Sequence, residues 1–122
     1  MILVDTSVWV EHLRRHEPVL AAALNAGEVL MHPFVIGELA CGKLKRRAEV
    51  LSLMGELPQA PVVTEDEALE FIERRKIMGR GVGYVDVHLL ASAVLTASAT
   101  IWTRDKRLAG LADDLGRVFS AH

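Results

Sequence analysis

The residues of this chain best suited to chemistry are four acids at predicted strand ends or on apolar helical stripes: Asp5, Glu38, Asp86 and Asp105. Carboxylates from such positions can converge in space. Converging carboxylates repel one another unless a cation or protons separate them. A divalent metal ion resolves that repulsion, and oxygen ligands favour Mg²⁺ or Mn²⁺. The four acids together predict a metal site.

Two of these acids follow predicted buried strands. Asp5 ends the apolar run at residues 1–4, and Asp105 follows the run at residues 100–103 and precedes a helix-like segment. Ligands of parallel sheets bind at the carboxyl ends of the strands, which places both acids where a site is expected. Taken alone, Asp105 is equally well explained as a helix N-cap.

The other two acids lie on predicted helices. Glu38 falls on the apolar stripe of Phe34, Val35 and Cys41, where an unpaired buried carboxylate is costly. Asp86 heads a second apolar stripe over residues 89–97, although an acid at a helix N-terminus is also favoured by the helix dipole.

Short apolar strands alternate with helices along the chain. Strands are predicted at residues 2–5, 28–32, 62–63, 100–103 and 117–119. Helices are predicted at residues 6–15, 18–27, 33–42, 45–57, 64–78 and 86–97, and after Asp105. This alternation indicates an α/β fold, a mainly parallel central sheet of four to five strands with helices on both faces. One domain over residues 1–122 is expected.

Composition and charge narrow the class of protein. Half of the residues are apolar, a quarter are charged, and Cys41 is the one cysteine, which excludes an internal disulfide and fits a cytoplasmic protein. No secretory signal or membrane span is expected. The net charge is −2, but sixteen acids less four metal ligands leave twelve against fourteen lysines and arginines. The basic residues cluster at 43–47, 74–80 and 104–107, as phosphate binding requires, although solvated helix faces also carry such clusters.

Four blocks of sequence match one known family in type and order. They are Asp5-Thr6-Ser7, Ile36-Gly37-Glu38-Leu39, Val85-Asp86-Val87-His88-Leu89-Leu90-Ala91 and Trp102-Thr103-Arg104-Asp105. Together, over essentially the whole chain, they resemble the PIN domain. The small size and the order of elements resemble VapC toxins, the ribonuclease half of bacterial toxin–antitoxin pairs.

The resemblance implies a PIN-like three-layer sandwich and a Mg²⁺- or Mn²⁺-dependent endoribonuclease. Its catalytic and metal-binding residues would be the four acids, which would hold a metal-activated water that hydrolyses RNA phosphodiester bonds. Glu38 would either bind metal or position the attacking water. Thr6, Ser7 and Thr103 match the hydroxyl positions that orient carboxylates or metal-bound water.

Three arginines are predicted to bind RNA: Arg80, Arg104 and Arg107. Some relatives carry a further acid where this chain has Arg107, which leaves open whether one or two metal ions bind. The resemblance also implies a VapB-like antitoxin that covers the acidic groove, and a homodimer. His88, Trp9 and Trp102 are predicted to pack in the core rather than to bind ligands.

Two other classes of protein remain as alternatives. A phosphohydrolase with a nucleophilic aspartate would also place Asp5 at a strand end, but its common form needs a second acid where this chain has Ser7. The chain has no phosphate-binding P-loop motif. A weakly active or inactive PIN-like RNA-binding or interaction module is the other alternative.

Overall fold

A computed structural model describes residues 1–121. Three short parallel strands form its sheet: β1 (Ile2–Val4), β2 (Val29–Leu30) and β3 (Thr100–Trp102). Strand β1 is central, in the order β2-β1-β3, with Leu3 paired to Leu30 on one side and to Ile101 on the other. The strands are almost entirely buried, as expected of a parallel sheet with both faces covered by helices.

Seven helices surround this sheet in the described part of the chain. They are α1 (Thr6–Arg15), α2 (Pro18–Asn25), α3 (Pro33–Ala40), α4 (Arg47–Glu56), α5 (Glu65–Arg75), α6 (Tyr84–Leu95) and α7 (Lys106–Asp114). The predicted α/β sandwich is confirmed, and several helix ends fall within one to three residues of the predictions. Helix α6 is the central helix, because its residues from Val87 to Ala93 are all buried.

The sheet has fewer strands than the four to five predicted. The predicted strand at 117–119 is reduced to a bridge between Val118 and Ile101, and the predicted strand at 62–63 does not form. The bridge on the opposite edge joins Gln59 to Met31 instead. Pairing stops there because the next N–H donor toward Ala60 would come from residue 33, which is a proline without an N–H group and is the first residue of α3.

The three residues predicted to pack in the core, Trp9, Trp102 and His88, are buried as expected. The His88 ring packs edge-on against Phe34 and Tyr84, with ring centroids 4.8 Å and 4.6 Å away. Within residues 1–121, no helix is long and apolar enough to cross a membrane. The predicted domain also includes residue 122, which lies outside the described residues.

Candidate active site

Asp5 lies where the central strand ends and α1 begins, with only 7% of its surface exposed. It occupies the N-cap position of α1, yet its carboxylate does not accept a hydrogen bond from the helix N–H groups. Instead Oδ2 accepts hydrogen bonds from Ser7 Oγ at 2.7 Å and Thr103 Oγ1 at 2.8 Å. Both contacts use one oxygen, so Oδ1 remains free of hydrogen bonds from residues 1–121. These two hydrogen bonds fix the orientation of the buried carboxylate.

The same two hydroxyls tie α1 to the loop between β3 and α7. Ser7 Oγ accepts the backbone N–H of Arg104 at 3.0 Å, and Thr103 Oγ1 accepts the backbone N–H of Asp105 at 3.0 Å. Each hydroxyl donates to Asp5 and accepts from this loop, so the position of Asp105 is linked to that of Asp5. The predicted role of Ser7 and Thr103 beside the acids is consistent with these contacts.

Asp105 is the N-cap residue of α7. Its Oδ1 accepts the N–H groups of Arg107 at 2.8 Å and Leu108 at 3.2 Å. The capping role considered from the sequence is therefore present. It fixes the side chain at the carboxyl end of β3, and it occupies only one of the two carboxylate oxygens.

Glu38 is held by α3, where its Oε1 accepts a hydrogen bond from Thr6 Oγ1 at 2.6 Å. The expectation that Glu38 lies on a buried stripe is wrong. Helix α3 turns Val35 and Leu39 into the core, while Phe34 and Glu38 are exposed. The third predicted hydroxyl, that of Thr6, contacts this glutamate rather than Asp5.

Asp86 lies in the first turn of α6 and is half-buried. Its Oδ2 accepts the backbone N–H of Gly83 at 3.3 Å. Burial raises the pKa of Asp86 above the ordinary value, and the negative charges of Asp5, Asp105 and Glu38 raise it further against the opposing Gly83 hydrogen bond. The structure therefore brings all four predicted acids close enough for three of them to disfavour the charge on the fourth.

The side chains do not form a finished metal site as they stand. Among residues 1–121, no three histidine, cysteine, aspartate or glutamate side chains are grouped closely enough to hold one ion. All four carboxylates accept hydrogen bonds from hydroxyl or N–H donors. The donors to Asp86 and Asp105 are N–H groups of neighbouring residues, whereas Glu38 accepts from a hydroxyl on another helix. The donor set itself fits a hard divalent cation, since it consists of carboxylate and hydroxyl oxygens that carry excess negative charge.

The three predicted RNA-binding arginines have different surroundings. Arg80 Nη2 forms an ion pair with Asp114 Oδ2 at 2.7 Å. Arg104 and Arg107 are exposed on the N-terminal side of α7. RNA binding by these three arginines stays a prediction.

A groove of about 400 Å³ adjoins Glu38 and was not anticipated from the sequence. Its walls combine apolar Val10, Leu13 and Leu44 with basic Arg14 and Lys43. The available signal was a pair of apolar residues, Val10 and Leu13, on the otherwise polar outer side of α1.

The N–H group of Gly83, which donates to Asp86, was also not predicted from the sequence, because a backbone donor cannot be recognised from residue type.

A family model described as PIN domain matches residues 2–114. The chain belongs to the PIN domain family. It is also 54% identical over 108 residues to proteins named Ribonuclease VapC32 from two strains of Mycobacterium tuberculosis, CDC 1551 / Oshkosh and ATCC 25618 / H37Rv. The alignments cover 88% of this chain and 87% of each relative. The resemblance to the PIN domain, seen in the four sequence blocks, and to VapC proteins, seen in the small size and the order of elements, is thereby confirmed.

Proposed function

We propose that this protein is a Mg²⁺- or Mn²⁺-dependent endoribonuclease that acts as the toxin of a toxin–antitoxin pair. The observation that carries the proposal is that four acids from separate segments lie near one another: burial raises the pKa of Asp86, and the charges of Asp5, Asp105 and Glu38 raise it further. A fold that gains nothing from this arrangement would not be expected to concentrate four carboxylates from four separate segments. The relatives named as VapC32 ribonucleases support the same reaction class.

The four acids would hold the metal, with the hydroxyl groups keeping them in place. Asp5 offers its free Oδ1, because Ser7 and Thr103 occupy only Oδ2. Asp86 and Asp105 would provide the remaining ligands from the starts of α6 and α7. Glu38, exposed and held by Thr6, either binds the metal or positions the attacking water. When bound, the divalent ion would supply charge neutralisation at the scissile phosphate and lower the pKa of water.

Cleavage of RNA with and without one central acid tests this function. The wild type should cleave RNA only with Mg²⁺ or Mn²⁺ present, and Asp5→Asn should reduce the rate by several orders of magnitude. Asp66→Asn is the matched control, since Asp66 is an exposed acid in the first turn of α5. Equal rates for Asp5→Asn and the control would refute the assignment.

A protein partner and a second copy of the chain belong to the same proposal. The groove beside Glu38, with apolar Val10 and Leu13 and basic Lys43, has the chemistry to accept an amphipathic segment of a VapB-like antitoxin that carries acidic residues. Growth arrest on induction in the cytoplasm should be relieved by co-expressing the small protein encoded beside this one. Unchanged arrest with every neighbouring gene product would remove the toxin role and leave the nuclease.

A homodimer is supported by exposed apolar residues on α5 and on α6. Leu69 of α5 and Leu95 of α6 are both more than half exposed. Sedimentation equilibrium should give twice the mass of the chain, and Leu69→Lys together with Leu95→Lys should lower it to the monomer mass. A monomeric wild type at micromolar concentration would contradict the dimer.

A further inference from the structure

The loop before α6 contains a glycine whose missing side chain makes room for an arginine. Gly81 has a φ of +80°, and a Cβ built on it would lie 2.8 Å from Cδ of Arg107 and 3.1 Å from its Nη1. Real Cβ atoms essentially never approach another atom below 3.0 Å. Glycine at this position therefore lets Arg107 lie across the loop.

This contact joins the segments that carry two of the four acids. The backbone N–H of Arg107 donates to Asp105 Oδ1 at 2.8 Å, so its main chain is fixed by one acid. Its side chain lies on Gly81, in the same loop whose Gly83 N–H donates to Asp86. Arg107 is thus held both by its backbone and by its side chain, next to the segments that carry Asp105 and Asp86.

The guanidinium of Arg107 differs from that of its neighbour in the loop. Arg80 is paired with Asp114 at 2.7 Å, whereas in residues 1–121 no carboxylate lies within 4 Å of the Arg107 guanidinium. The donors of Arg107 are therefore available to an external anion, and a planar guanidinium matches the geometry of a phosphate.

We propose that Arg107, positioned by Gly81, binds a backbone phosphate of the RNA beside Asp86 and Asp105. This inference rests on the proposed ribonuclease function. It adds a residue that positions the RNA next to the acids proposed to cleave it. A phosphate contact fixes the register of the RNA strand and does not read its bases. Among the three arginines predicted from the sequence, Arg107 is the one whose side chain lies against Gly81.

Binding is measured in the Asp5→Asn background, where the RNA stays intact. Fluorescence anisotropy with a short single-stranded RNA should show about tenfold weaker binding for Arg107→Gln at low salt. The plot of log affinity against log salt concentration should become shallower by about 0.7, the slope lost with one phosphate contact. Arg74→Gln is the matched control, since Arg74 is paired with Glu70 at 2.6 Å, and it should change neither quantity.

Two glycine variants separate the contact from backbone strain. Gly79 has a φ of +75° with nothing within 4 Å of a built Cβ, so Gly79→Ala carries the strain of Gly81→Ala without displacing Arg107. Gly81→Ala should weaken RNA binding as Arg107→Gln does, and Gly79→Ala should not. In the Arg107→Gln background, Gly81→Ala should cause no further loss.

Several results would overturn this proposal. Equal affinity and salt dependence for Arg107→Gln and Arg74→Gln would remove Arg107 as a phosphate contact, and metal-dependent cleavage by the wild type would then survive. Equal weakening by Gly79→Ala and Gly81→Ala would remove the positioning by Gly81. If the wild type bound RNA through Arg107 but did not cleave it, the phosphate contact would stand and the proposed nuclease function would fail.

Discussion

Acid should destabilise this protein through His32, a histidine outside the cluster of four acids. His32 has no exposed surface, its Nδ1 accepts the N–H of Phe34 at 3.0 Å, and it caps α3. Burial, together with the charge of His88, lowers the pKa of His32 from 6.5 to about 4. The neutral ring is favoured in the folded state. Its contribution to stability is fully present above pH 6.5 and is lost as the pH falls toward 4.

The magnitude follows from the two pKa values. Each pKa unit corresponds to about 1.4 kcal/mol, so full protonation of His32 would lower the free energy of unfolding by about 3 kcal/mol. About 2 kcal/mol of this loss falls between about pH 7 and about pH 5. Urea unfolding at these two pH values measures the loss in the free energy of unfolding. The lowered pKa values of His12 and His88 add to it in the same direction.

The variant His32→Asn keeps a side-chain acceptor for the cap but removes the titrating group. It should be less stable near neutral pH, because the ring packing is lost, and its stability should depend much less on pH. His16→Asn, at an exposed position, is the control and should retain most of the wild-type pH dependence. The reasoning is refuted if His32→Asn and wild type lose the same free energy between the two pH values.

Three further predictions follow from contacts in the structure. Burial and three neighbouring acids raise the pKa of Asp86, so the charged form is disfavoured in the folded protein. Asp86→Asn should therefore raise the free energy of unfolding of the metal-free protein near neutral pH by up to about 1 kcal/mol in urea, and it should abolish RNA cleavage. A lower free energy of unfolding would contradict the charge repulsion. Ser7→Ala and Thr103→Val should each weaken Mn²⁺ affinity about 10- to 100-fold by calorimetry, since both orient Asp5, and unchanged affinity would show that they do not. Lys76→Gly should stabilise the fold by up to about 1 kcal/mol, since Lys76 ends α5 at a φ of +54°, and a lower melting temperature would count against this.

Local rules predicted most helices because their start and stop signals are contained in a few residues. Helix α1 has the predicted bounds, and the box between Thr64 and Glu67 opens α5 as its sequence indicated. The sheet edges were predicted less well. Whether residues 117–119 form a strand or a single bridge depends on how far pairing continues beside β3, which no local pattern encodes.

The candidate site shows the same division. The residue types and positions of the acids could be taken from the sequence, since strand ends and first helical turns are visible there. Their partners could not. Thr103 and Asp5 are 98 residues apart, and their hydrogen bond exists only after folding. The exposure of Glu38 depends on which side of α3 packs into the core. In the structure Val35 and Leu39 face the core, so Phe34 and Glu38 on the predicted stripe are exposed.

We propose that acids from four segments bind divalent metal at one shared site. Anomalous diffraction from a crystal soaked in Mn²⁺ tests it most directly. We expect a single strong peak, or two adjacent peaks, bounded by carboxylate oxygens of Asp5, Asp86 and Asp105, with Glu38 in direct or water-mediated contact. No peak among these oxygens, in a protein preparation that cleaves RNA with Mn²⁺, would contradict it.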